Sequence, residues 1–229
     1  AEALDRVLTA LPDPTRFETV VRSGPPAEVI MAEADRLEAD LIVLGTRGRG
    51  ALAQLLLGSV SRSVAARAER PVAIVPTTAS WSAGPTVVGV DGSPGGDAAL
   101  AWAVANDNGP ITAVSAWHLP SDAIYDPNTI DVDAFEAEVR TGLETVIDDM
   151  AERFPDADVR GRVNPVVQRD DARLALLREA KGSARIVLGA RSHRGVRGLL
   201  LGSTVDYVAS HTSQVIIVVP PAETGAADG

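Results

Sequence analysis

Two stretches place small and polar residues at matched distances. LGTRGRGALAQLLLGSVSR (44–62) holds Gly45, Gly48, Gly58 and Ser59. LGARSHRGVRGLLLGSTVD (188–206) holds Gly189, Ser192, Gly202, Ser203 and Thr204. In each the first glycine closes an apolar run, IVLG, that reads as a buried strand. Glycine there permits a tight turn and a close backbone approach to a ligand. The Gly-Ser pair falls where a helix begins, and unpaired amides at the positive end of a helix dipole favour an anion. The spacing describes a phosphate cradle with two walls, a strand-end loop and a helix start. The same residues could serve only as turn formers and helix caps; four positions written twice favour the anion. Ser192 stands where the first stretch has Gly48. In a left-handed conformation serine costs about 1 kcal/mol or a little more, whereas its hydroxyl could donate to a phosphate.

A further candidate is Asp91 in VDGSPGG, again just after an apolar run. It can be a plain turn residue or a ligand contact beside the same cleft, since ligands of open α/β sheets sit beyond the carboxyl ends of the strands. Other chemistry finds little support. His118, His193 and His211 have no metal-ligand spacing and there is no HExxH. Arg191 and Arg194 flank the second cradle and could neutralise phosphate charge, while His193 reads as a solvated loop residue. There is no Walker lysine and no evident general base, so any phosphoryl transfer should be slow. No HIGH-like or SGGxDS-like segment points to adenylyl transfer.

The elements that must position these residues follow from the pattern. The chain has 229 residues, 45% hydrophobic and 23% charged, with no cysteine and a formal net charge of −10. That balance fits a soluble cytoplasmic protein with an ample core, without disulfides or thiolate metal sites. It argues against a nucleic-acid backbone as partner, and no apolar run is long enough to span a membrane. An offset of 144 superposes Gly45 on Gly189, Ser59 on Ser203 and Pro76 on Pro220, without a gap from Arg36 and with roughly a third of positions identical. A period this long means two tandem domains. The second reads in full: a buried strand in TVVGVDGS (86–93), a run ending in turn residues, helical spacing in GGDAALAWAVAND, strand ITAVSAW, and a helix within 131–154 striped by Val132, Phe135, Val139, Leu143, Val146 and Met150. A strand near DVRGRVNPVV, a helix DDARLALLREA, strand ARIVLG, a helix after GSTVD and strand QVIIVVP complete it. Alternating strands and helices, with continuously apolar strands, indicate a parallel sheet covered on both faces. The acidic loop SDAIYDPN follows the second strand and could border the ligand as a lid.

Taken together, the G-x2-G-x9-G-S spacing, VGVDGSP, and the closing strands PVAIVP and VIIVVP resemble the universal stress protein family. The resemblance covers nearly the whole chain. It implies two tandem doubly wound α/β domains of the adenine nucleotide alpha hydrolase-like kind, strand order 3-2-1-4-5. The first (1–78) lacks its first two strands, roughly 60 residues by the offset. A linker (79–85), the complete second domain (86–220) and a disordered tail (221–229) follow. It further implies ATP with Mg²⁺ as ligand and a regulatory role in stress response with little or no turnover. Asp91 would meet the adenosine part, the backbone at Ala116 the adenine, and Gly189, Ser192, Gly202, Ser203 and Thr204 the phosphates. Gly45, Gly48, Gly58 and Ser59 would form a weaker first-copy counterpart. The last strands of the copies should pair with each other. A homodimer, or a second chain completing the first copy, is the expected partner, because FETVV (17–21) has no sheet neighbour and the first copy should not fold by itself. The competing expectation is a nucleotide-independent scaffold for dimerisation or docking.

Overall fold

The computed structural model describes residue 9 and residues 13–46, 57–79, 82–118, 131–190 and 201–221. After a short 3₁₀ turn at Pro14–Arg16, the first half contributes α1 (Pro26–Arg36), β1 (Ile42–Gly45), α2 (Ser59–Arg67) and β2 (Val72–Val75). The second half runs β3 (Thr86–Gly89), α3 (Pro94–Asn106), β4 (Ile111–Trp117), α4 (Val132–Arg153), the single turn α5 (Val159–Arg162), β5 (Val163–Arg169), α6 (Ala172–Glu179), β6 (Arg185–Gly189), α7 (Ser203–His211) and β7 (Val215–Val219).

All seven strands join one sheet of order β1-β2-β7-β6-β3-β4-β5. From β7 to β5 the neighbours are parallel, giving the expected 3-2-1-4-5 order of the second half. The central strands are apolar on both faces because helices cover both: Val87 packs beneath α6 and α7, and Val88 beneath α3 and α4. Ser93 caps α3 by accepting from the Gly96 amide at 3.2 Å, with Pro94 in the first turn. Asp131 caps α4 from Ala134 at 3.0 Å. The buried stripe of α4 is Leu143, Ile147 and Met150, with Val146 half-buried; Phe135 lies at its start, against Trp117 of β4 at 5.1 Å.

The first half has no sheet of its own. Its two strands extend the other sheet, with β2 antiparallel to β7 in the register Val72↔Val218, Ala73↔Ile217 and Ile74↔Ile216. The last strands of the two copies thus pair, as the resemblance implies. Residues 17–21 form no strand, and Phe17 and Val21 are exposed. At the outer edge β1 buries Ile42 on the α1/α2 side and leaves Val43 61% exposed, since no described helix covers its other face. The linker is docked: the Ser82 hydroxyl donates to the Gly182 carbonyl at 2.7 Å, and a Cβ on Gly84 would lie 1.9 Å from that oxygen.

Candidate functional site

The carboxyl ends of β3, β4 and β6 meet the amino ends of α3, α6 and α7 around a cleft of about 220 Å³. Its floor is apolar, from Val114, Leu176, Leu188 and Val205. Its rim is polar or bare backbone, from Asp91, Ser93, Gly189, Gly202 and Thr204, with Ala116 at the β4 side. An apolar slot beside a helix start has the chemistry to take a flat aromatic base joined to an anion.

The helix start at Gly202 is the strongest anion feature. Gly202 holds φ +90° and ψ 135°, and no described side chain caps α7. Among the described residues no side chain accepts from its first amides, which lie beside the cleft under the positive end of the helix. The equivalent Gly58 has φ −61° and ψ 150°, so one sequence pattern takes two backbone shapes. There the Gly58 amide donates to the Thr46 carbonyl at 2.7 Å, and the Ser61 hydroxyl donates to the Gly45 carbonyl at 2.7 Å. These bonds tie the first-half turn to the end of β1, although α2, like α7, has no described side-chain cap.

Gly189 answers a different need. A Cβ there would fall 2.2 Å from the backbone carbon and oxygen of Gly95, so these glycines let the start of α3 rest on the end of β6. Its missing side chain is explained by packing before any ligand is considered. Asp91 Oδ1 accepts from the Ser93 amide at 3.1 Å and from the Ser93 hydroxyl, which forms the turn into α3. Both readings of Asp91 are compatible, because the same exposed carboxylate lines the cleft.

Of the expected site residues, the structure brings Asp91, Ala116, Gly189, Gly202 and Thr204 together. Ser203 opens α7 with an exposed side chain and does not line the cleft. Ser192, Gly48, Arg191, His193, Arg194 and the loop SDAIYDPN lie outside the described residues, as does the tail from 222. Gly45, Gly58 and Ser59 sit together at the first-half turn. Sequence reasoning missed Gly95 and Gly96, whose adjacency in SPGGD was the available signal, and Leu176 and Ala172 from α6, for which there was none. His118 is exposed and His211 stacks on Tyr207 at 4.0 Å. No cluster of three metal-ligating side chains occurs among the described residues, nor any helix long and apolar enough to cross a membrane.

One carboxylate behind the cleft is held at a disadvantage. Burial, then the nearby Asp91 and Asp149 carboxylates, raise the pKa of Asp97 in α3, and its Oδ1 has no partner among the described residues. A raised folded-state value means the charged form weakens the fold above the ordinary carboxylate range, and this penalty disappears as pH falls below it. Asp97→Asn should therefore raise Tm at pH 7 by about 1–2 °C, the size of a solvent-screened interaction in a chain of this length. Parent and variant melting curves followed by circular dichroism should converge below about pH 4; a gain that persists there would exclude this origin.

The model of the universal stress protein family matches residues 2–76 and 84–220. A universal stress protein of Mycobacterium tuberculosis (strain ATCC 25618 / H37Rv) is 35% identical over 192 residues, which is 80% of this chain and 62% of that protein. Another, from strain CDC 1551 / Oshkosh, is 30% identical over 217 residues, covering 86% and 70%. The chain thus spans under two thirds of the length of the first of these relatives. Among solved structures, a universal stress protein from Archaeoglobus fulgidus DSM 4304 superposes with a TM-score of 0.63 at 22% identity, over 96% of this chain and 77% of that one.

Proposed function

Since the chain belongs to the universal stress protein family, we propose that it binds ATP in the cleft of its second half and acts as a stress-response regulatory module with little or no turnover. The observation that carries this reading is the uncapped start of α7 at Gly202, beside an apolar floor and the Asp91 carboxylate. In this reading the base lies over Val114 and Leu176 near the Ala116 backbone. Asp91 accepts from the ribose through the oxygen its turn does not use, and the amides at Gly202, Ser203 and Thr204 receive the phosphates. Ser192 adds a hydroxyl, and Gly189 keeps the loop close. Mg²⁺ would arrive with the nucleotide, because charge on the phosphates rather than a protein carboxylate cluster provides its oxygen ligands. Gly45, Gly48, Gly58 and Ser59 form at most a weaker first-half counterpart, since the Gly58 amide already donates to the Thr46 carbonyl.

Equilibrium dialysis with labelled ATP and Mg²⁺ should give about one site per chain. A nucleotide-independent docking scaffold is the second reading, favoured by the exposed outer strand β1. It would prevail if no saturable binding appeared at millimolar ATP. Single-turnover assays on the bound complex should show phosphate release far slower than nucleotide exchange.

A further inference from the structure

The seam between the halves carries a signature that the cleft does not explain. Under the offset of 144, Ala73 and Ile217 are equivalent positions, and they are also the two residues that face each other at the middle of the β2/β7 pairing. An approximate twofold axis therefore passes between them. Each is 4% exposed, so the pair is packed. Arg62 of α2 and Asp206 of α7 are equivalents too, and they meet across the same axis with Nε and Oδ1 3.0 Å apart. The approach is off the N–H direction, so it is an ion pair rather than an aligned hydrogen bond. Asp206 Oδ1, itself buried, has no hydrogen-bond partner among the described residues. Among the described residues the Arg62 guanidinium is its one ion-pair partner.

Equivalent positions next to a twofold axis would meet themselves if two like halves paired. Here both axial pairs are unlike: small against large, and positive against negative. We propose that Arg62/Asp206 and Ala73/Ile217 make this seam selective for unlike halves, so that a second half takes a first half, from its own or another copy of this chain, and refuses another second half. Two second halves would set Asp206 against Asp206 and force two isoleucines into the space of an alanine and an isoleucine. Two first halves would oppose Arg62 to Arg62 and leave a void between alanines. The charge part acts within a few ångströms of half-exposed groups, so salt weakens it.

The chain has no cysteine, which allows a direct test. Ile217→Cys places a thiol on the axis, where only the pairing of two second halves from different chains lets it form a disulfide. Oxidation of the Ile217→Cys chain at low salt should yield little cross-linked dimer. Adding Arg62→Asp puts carboxylates on both sides of the proper seam, removes the preference, and should raise the dimer yield roughly fivefold. The further swap Asp206→Arg should return the yield to that of the Ile217→Cys chain. Equal yields in all three, or no return on the swap, would overturn the proposal. Where circular dichroism shows that Arg62→Asp unfolds, Asp206→Asn with Ile217→Cys takes its place. It removes the facing carboxylates of two second halves and must also raise the yield, and an unchanged yield overturns the proposal equally.

Discussion

Replacing Gly202 by valine should abolish measurable ATP binding while the chain remains folded. Gly202 sits at φ +90° and ψ 135°, a region that a β-branched residue cannot occupy without strain of about 1–3 kcal/mol. The protein itself displays the escape route. Gly58, at the equivalent position, begins its helix from φ −61° and ψ 150°, a conformation open to any residue. The backbone of the Gly202→Val chain should relax toward that shape, so that α7 survives while its first amides turn away from the cleft. Losing two hydrogen bonds to a charged phosphate at about 1.5–3 kcal/mol each corresponds to a Kd weakened by about 100-fold or more. Calorimetric titration with ATP, beside far-UV circular dichroism, measures both parts. Unchanged affinity in a folded Gly202→Val chain would place the phosphates somewhere other than α7.

A large loss of stability should come from a single methyl group at the cleft wall. Gly189→Ala puts a Cβ 2.2 Å from the carbon and oxygen of Gly95, and both contacts are backbone, so no side chain can swing aside. Either the start of α3 or the end of β6 must move. Overpacking of this kind costs about 2–3 kcal/mol, which lowers Tm by about 5–10 °C at this length. Gly142, within α4 and with nothing within 4 Å of an added Cβ, serves as the control. Alanine there should raise Tm by a few degrees at most, through helix propensity. A Gly189→Ala chain that melts with the parent would mean that α3 does not rest on β6, and the cleft wall built from both would need revision.

Much of this architecture could be read in the sequence because the information is local. TVVG, ITAVSAW and VIIVV are apolar without alternation, which is what a strand covered on both faces requires, and all three are strands. Helical spacing placed α4 within a residue at its start, and the family resemblance implied that β2 and β7 would meet. What stayed hidden depends on contacts between distant segments or on the sign of a dihedral angle. Nothing in SPGGD or LGARS says that Gly95 and Gly189 will touch. Leu176 reaches the cleft floor only because α6 packs over β4 and β3, and its surroundings in ARLALLRE are those of an ordinary amphipathic helix. Gly58 and Gly202 share a pattern and differ in φ, since spacing fixes where a turn occurs and not how the backbone passes through it. Ser203 was grouped with the cleft by its position in the pattern, but the first side chain of a helix can point outward while its amide points in.

The opposed directions of β2 and β7 also govern where the two halves look. Strands of the first half end at one rim of the sheet, and those of the second half end at the other. The helix starts at Ser59 and Ser203 consequently open toward opposite poles of the molecule. No single small ligand can bridge them, and a protein reading the occupancy of one would approach from a direction that hides the other. Influence between the poles would have to cross the seam, through the paired strands β2 and β7, the Arg62–Asp206 contact and the core the halves share.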